Sequence, residues 1–260
     1  MARFDPSRPL AEQLDELKTA IRAAPGQASL RVYLFQLLAV MGQWQKSLDA
    51  LQMAAQLDDK AQPMARAYRE AIRCEVLRAE VFAGKRQPNI LGEPPAWMGL
   101  LVEALRLLGQ GDAAAAAALR TQAFEQAPES AGRLNDEPFE WIADADSRLG
   151  PVCELLANGN YYWLPFSAIG RIGFEAPQDL RDFVWAACEV TLTTGGTLAG
   201  FIPARYPGSE AGDDALRLAR RTEWTDLGDG HASGLGQRTW LADGDEHALL
   251  DVRRLQFGAS

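Results

Sequence analysis

The stretch Cys153–Phe166, CELLANGNYYWLPF, decides how this chain is read. Two apolar runs flank Asn158-Gly159, a dipeptide suited to the left-handed central positions of a tight hairpin. Side chains alternate along a strand, so Tyr161 and Trp163 share one face and Tyr162 takes the other. The segment predicts a β-hairpin, and it stands just after the texture of the sequence changes.

Downstream the same texture continues. FVWAACEVTL (183–192) and LAGFIP (198–203) predict a second hairpin turning at Gly195-Gly196. QRTWLAD (237–243) and HALLDVRRLQF (247–257) predict a third pair of strands across a DGDE turn. One helix, Asp213 to Arg221, interrupts them. Residues 140–260 therefore read as a β-rich α+β domain, with a partly closed barrel as its expected form.

Upstream the period is helical. Leu30, Tyr33, Leu34, Leu37, Leu38 and Met41 recur at three-four spacing until Gly42, after which Trp44, Leu48, Leu51 and Ala55 begin a new stripe. Leu10, Leu14, Leu17 and Ile21 form an earlier stripe, ended by APG at 24–26. Tyr68, Ile72, Val76 and Ala79 mark the apolar face of a long helix stopping near Gly84, followed by a proline-rich connector, GKRQPNILGEPP. Trp97, Leu100, Leu101, Ala104, Leu105 and Leu108 give a further helix, and the alanine run 113–118 has high helix propensity.

LFQLLAVMGQWQKSLDAL (34–51) resembles one unit of a tetratricopeptide (TPR) array, and LLVEALRLLGQGDAAAAAAL (100–119) echoes it. Gly42 and Gly109 stand about two repeat lengths of ~34 residues apart, but the middle unit does not keep the period. Residues 1–135 are thus expected to be a TPR-like helical region. The boundary falls at 128–140, where Pro, Gly, Ser and Asn cluster. The fold class is α+β, with the helical half first.

Composition excludes several classes of function. The 260 residues carry a net charge of −9, with a pI near 4.9, so no basic footprint points to nucleic acid, and an anionic lipid surface is disfavoured. No segment resembles a signal peptide or approaches the ~20 apolar residues of a membrane helix, which predicts a cytoplasmic protein. Cys74, Cys153 and Cys188 are odd in number and widely spaced, and read as buried thiols in a reducing compartment.

Candidate catalytic groups are sparse. His231 lies in GDGHASG, which reads as a flexible polar loop, and His247 opens a strand; neither has a partner at metal-ligand spacing. Ser209 lacks the context of a nucleophile elbow, and Ser209 or Asp213 reads better as the cap of the following helix. GLGQRT leads into a strand and is no dinucleotide fingerprint. In DADSRLGP (144–151), Asp144 and Asp146 read as carboxylates that cap backbone or pair with Arg148 rather than as calcium ligands. Arg217, Arg220 and Arg221 suit the negative end of a helix dipole. No metal or cofactor is implied. The loop FIPARYPGSE (201–210) holds Arg205 and Tyr206 between two prolines: first a rigid corner, and second a place to present those side chains to a partner. Tyr, Trp and Arg anchor interfaces, so Tyr161, Trp163, Arg205, Tyr206, Trp44 and Trp97 are the candidate protein-binding residues.

DADSRLGP, NGNYYWLPF, PQDLRDFVWAACEVTL, GGTLAGFIPARYPGSE, LRLARRTEW, GLGQRTW and ALLDVRRLQF occur in this order. Together they resemble the ImpE/SciE family, also called TagJ, accessory proteins of bacterial type VI secretion systems. The resemblance implies a non-enzymatic adaptor that binds an N-terminal helical segment of the small contractile-sheath subunit. It also implies an association with the AAA+ unfoldase that disassembles contracted sheath. Two other readings remain: a hydrolase built from Arg205, Tyr206, Glu210 and the Asp144/Asp146 loop, and a scaffold acting through the TPR-like helices alone.

Overall fold

Gly42 closes the first helical hairpin. Helices α1 (Leu10–Ala23), α2 (Ala28–Val40) and α3 (Trp44–Leu57) follow the three upstream stripes in the computed structural model, which describes residues 4–258. Gly42 turns the chain at φ 68°, and a Cβ there would lie 2.4 Å from the Glu210 Cβ of the C-terminal half. Both the turn and the close approach require glycine. The 21-residue α4 (Gln62–Phe82) follows, with Pro63 in its first turn.

The proline-rich connector contains a strand that its composition hid. Here β1 (Asn89–Ile90) runs parallel to Tyr162 and Trp163 and ties the helical half to the edge of the sheet. A second helical hairpin comes next, α5 (Ala96–Gly109) and α6 (Ala113–Gln126), the latter capped by Asp112, whose side chain accepts the Ala115 N–H. No described helix is long and apolar enough to cross a membrane.

The expected change to β structure follows. Short strands β2 (Gly132–Leu134), β3 (Glu137–Phe139) and β4 (Ile142–Asp144) lead to β5 (Val152–Ala157) and β6 (Asn160–Pro165). The hairpin at Asn158-Gly159 forms as its sequence requires, with φ of 51° and 74° and Ala157 facing Asn160. Strands β7 (Ile169–Phe174), β8 (Trp185–Leu192) and β9 (Thr197–Pro203) follow, β8 and β9 pairing across the turn that holds Gly195-Gly196. Then come α7 (Asp214–Arg217), β10 (Thr222–Gly228), β11 (His231–Gly236), β12 (Thr239–Ala242), β13 (Asp245–Ala248) and β14 (Arg254–Phe257). The fold is α+β, as its periods predict.

Nine strands form one sheet in the order β1-β6-β5-β9-β8-β7-β14-β2-β3, with β13-β12-β4 and β10-β11 as smaller sheets. The large sheet ends in two unpaired neighbours, β1 and β3, so it is open where a partly closed barrel was expected. Its strands serve two cores. Val152, Leu156, Tyr161, Trp163 and Trp185 pack with the helices, whereas Cys153, Leu155, Ala186, Cys188 and Val190 pack with Trp240 and Leu255 on the other side. Both faces are covered, which explains why every residue of β5 is buried.

Several expectations change. The helix expected over 213–221 ends at Arg217, with Ala219 at φ 50° leaving the helical region. GDGHASG is a tight hairpin between β10 and β11, not a flexible loop. The last expected strand pair splits: β12 pairs β13, while β14 joins the large sheet beside β7. On α4 the buried face holds Tyr68, Ile72, Glu75 and Arg78, while Val76 and Ala79 face outward. An apolar stripe misses that face because two of its members are charged.

Candidate functional site

Glu154 sits on β5 with no exposed surface, and a carboxylate there needs charged or hydrogen-bonding partners. Arg78 supplies two donors, Nε to Oε1 at 2.7 Å and Nη2 to Oε2 at 2.9 Å. The Tyr161 hydroxyl donates to Oε1 at 2.6 Å, and Arg238 pairs with Oε2. Arg238 also pairs with Asp144 and donates from Nε to the Pro203 carbonyl at 2.8 Å. Glu75, one turn before Arg78, accepts from Arg78 Nη1 at 3.3 Å and from the Trp185 indole at 3.0 Å. The Trp163 indole in turn donates to the Tyr161 hydroxyl at 2.7 Å.

This network links α4 to strands from both small and large sheets. Burial works to raise Glu154, but Arg78 and Arg238 outweigh it and hold the carboxyl at about 2. Burial pushes Asp144 up to about 6 against the pull of Arg238, and it raises Glu75 against that of Arg78. These groups are each other's partners. Arg120, on the buried face of α6, is different: none of its three guanidinium nitrogens has an acceptor among the described residues, and burial lowers its pKa.

The proline-bracketed loop lies inside the molecule. Arg205 Nη1 donates to the carbonyls of Val40 at 2.7 Å and Arg217 at 2.6 Å, and Nη2 to Ala39 at 3.2 Å. A cation thus closes the negative end of α2, where the last carbonyls lack helical donors. Tyr206 points the other way. Its hydroxyl lies 3.0 Å from Asp144 Oδ1 and accepts the Thr239 N–H at 3.0 Å. Ser209 Oγ donates to the Tyr206 carbonyl at 2.6 Å and accepts the Gly236 N–H at 2.7 Å, whereas Asp213 caps α7. The corner is structural: it pins the β region to the helices.

The other sequence candidates are placed as follows. Tyr161, Trp163, Trp97, Arg205 and Tyr206 are buried and present no surface to a partner; Trp44 is half-buried against Trp185. Asp144 and Tyr206 meet, while Arg205 is turned to α2 and Asp146 is engaged by Arg148 Nε at 2.9 Å. Asp146 also accepts the Gly234 N–H, and Asp144 accepts the Asp146 N–H, so both carboxylates cap backbone. His231 is buried edge-on to Phe124, with Nε2 3.1 Å from the Thr121 hydroxyl, and burial lowers its pKa. His247 lies within β13. Cys74, Cys153 and Cys188 are buried free thiols, raised by burial. Arg217 pairs with Asp214, Arg221 with Asp213 and Glu223, and Arg220 donates to the Pro6 carbonyl.

Arg78, Glu75, Glu154 and Arg238 escaped sequence reasoning. Their signal was present: a lone glutamate within an apolar strand, and an i, i+3 acid–base pair on the inner face of a helix.

Open surface lies elsewhere. Beside the C-terminal end of α6, a groove of about 340 Å³ is lined by Phe124, Pro128, Trp141, Ile142, Pro151 and Leu241, with Glu129, Ser130 and Ser147 at its polar margin. Trp141 is 37% exposed, one of the five most exposed large apolar side chains among the described residues. Its backbone is held in place, since the N–H groups of Glu140 and Trp141 both donate to Asp243. An exposed aromatic beside an apolar groove is suited to bind an apolar helix face.

Comparison with known proteins places this arrangement in context. The family model of the ImpE protein matches residues 136–256. The type VI secretion system accessory component TagJ of Pseudomonas aeruginosa is 49% identical over 249 residues, 95% of this chain and 87% of that protein. The crystal structure of protein VPA1032 from Vibrio parahaemolyticus superposes with a TM-score of 0.88 at 28% identity, covering 96% of this chain and 94% of that one.

Proposed function

The chain belongs to the ImpE family of type VI secretion accessory proteins, and on that premise we propose that it is a non-enzymatic cytoplasmic adaptor. It binds an N-terminal helical segment of the small contractile-sheath subunit and assists sheath turnover together with the AAA+ unfoldase. The observation that carries the reading is the Trp141 groove, an apolar cleft beside an exposed aromatic ring whose backbone is anchored to Asp243. An amphipathic helix buries its apolar face in such a cleft, and the apolar area removed from water supplies most of the attraction. Glu129 at the margin and the net charge of −9 favour basic residues on the polar face of that helix. The polar side chains best suited to chemistry are committed to one another inside the molecule, which supports an adaptor over a hydrolase.

The test uses the full chain and a labelled peptide covering the sheath subunit's N-terminal segment. Fluorescence anisotropy is expected to show binding, weakened about tenfold or more by Trp141→Ala, as for an interface anchor. Hydrogen exchange on the complex is expected to protect Trp141–Ala145 and the end of α6. Protection confined to α1–α3 would replace this reading with a scaffold acting through the helices alone, and absence of binding would overturn it.

A further inference from the structure

The outer face of α4 has a composition at odds with the rest of the surface. Arg66, Arg69 and Arg73 follow one another at three- and four-residue spacing, so they lie along one face of the helix. All three are exposed, and none forms an ion pair or side-chain hydrogen bond with any described residue. Other exposed arginines do find partners, some carboxylates, as Arg8 with Glu16, Arg106 with Glu103 and Arg221 with Asp213, and others a hydroxyl or carbonyl, as Arg22 with Thr19 and Arg220 with Pro6. Glu70, the acid within the stretch, leans on the Gly159 turn. The three arginines line a shallow groove of about 770 Å³ with Gln62, Pro63, Ala67 and Glu70, so three cations face one carboxylate.

The same face continues into apolar surface. Val76, three residues beyond Arg73, is 51% exposed, the most exposed large apolar side chain among the described residues. Met53 and Leu57, at the end of the preceding α3, are 40% and 39% exposed. Three of the five exposed large apolar side chains thus belong to the α3–α4 pair. Basic charge beside apolar surface, on a chain of net charge −9, is complementary to an acidic amphipathic partner.

We infer that the outer face of α4 is a docking surface for an acidic amphipathic helical segment of a partner protein, separate from the Trp141 groove. Carboxylates at i, i+3 and i+7 of that segment meet Arg66, Arg69 and Arg73 in parallel register, and an apolar residue at i+10 covers Val76. Arginine suits the task because its planar fork binds carboxylates through two hydrogen bonds. Nucleic acid and anionic membrane are poorer occupants: three cations yield a small counterion release, and the overall negative charge repels an extended polyanion.

The test is a charge swap on the full chain. The probes are two alanine-based helical peptides, one with Glu at i, i+3 and i+7 followed by Leu, the other with Lys in place of Glu. The Glu peptide is expected to bind the wild-type chain and to weaken about tenfold or more in high salt or in R66E/R69E/R73E. The triple variant is expected to bind the Lys peptide instead. Trp141→Ala should leave Glu-peptide binding unchanged, which separates this surface from the sheath-peptide groove. No binding of the Glu peptide, equal binding by the triple variant, or tighter binding of a short DNA duplex or of phosphatidylcholine–phosphatidylglycerol vesicles would overturn the inference. Because the residues are exposed, an unchanged thermal midpoint in the triple variant confirms that its fold is intact.

Discussion

Helix α4 has two charged faces that obey different physics. On its inner face Glu75 and Arg78 are buried, and each has a partner at hydrogen-bond distance, on the strands or on the other. On its outer face Arg66, Arg69 and Arg73 are exposed and unpaired by any described residue. Inside, Arg78 and Glu154 stay charged because their partners replace water; outside, water does that work and a partner is optional. Burial with a partner, not charge, therefore separates an arginine that holds the fold from one free to bind.

The sharpest way to break this comparison is to remove the central carboxylate. Glu154→Gln leaves Arg78 and Arg238 without their shared counter-ion and is expected to cost about 3–5 kcal/mol, read from the urea midpoint. A loss below about 1 kcal/mol would show that the buried network contributes little.

Acid titration sharpens the same point without mutation. The folded pKa of Glu154, about 2, lies below its ordinary value of 4.5. Its contribution is therefore fully present above pH 4.5 and is lost as pH falls toward 2. At about 1.4 kcal/mol per unit this amounts to about 3.5 kcal/mol. Asp144, raised from 3.8 to about 6, runs the other way, and its contribution falls as pH rises through that interval. The stability profile should therefore rise steeply from pH 2 to 3.8, level off up to 4.5 where the two oppose each other, and fall from there toward pH 6, and Glu154→Gln should remove the rising limb.

Arg120 tests the rule from the other side. It is buried like Arg78 but has no acceptor among the described residues, so Arg120→Met should be neutral or stabilise by about 1 kcal/mol. Arg78→Met, by contrast, should destabilise strongly, because it leaves Glu154 short of donors. Paired urea curves give the comparison directly. The smallest effect belongs to the outer face: R66A/R69A/R73A should change stability by no more than about 0.5 kcal/mol. A larger loss would mean that those arginines support the fold.

Much of the architecture was legible because its signals are local. The Asn158-Gly159 hairpin needs only two residues able to turn left-handed, and α2 and α3 need only an apolar period broken by Gly42. β1 was not legible: two residues in a proline-rich connector carry no period, and their pairing with Tyr162 and Trp163 is a long-range event. The inner face of α4 was misplaced for the same reason, since the partner that lets Arg78 point inward lies 76 residues away.

The binding candidates divide in the same way. Tyr161, Trp163, Arg205 and Tyr206 have the residue types of an interface, yet their side chains are spent on internal hydrogen bonds. Trp141 and the α4 arginines drew no attention, because exposure has no signature in one sequence.

By itself, the sequence determined the helical-then-β order, the Asn158-Gly159 and Gly195-Gly196 hairpins and the family, all of which rest on short-range pattern and composition. Only the tertiary structure decided which charges are buried and which are free. That choice depends on whether a distant residue arrives to replace water, and no local pattern records it.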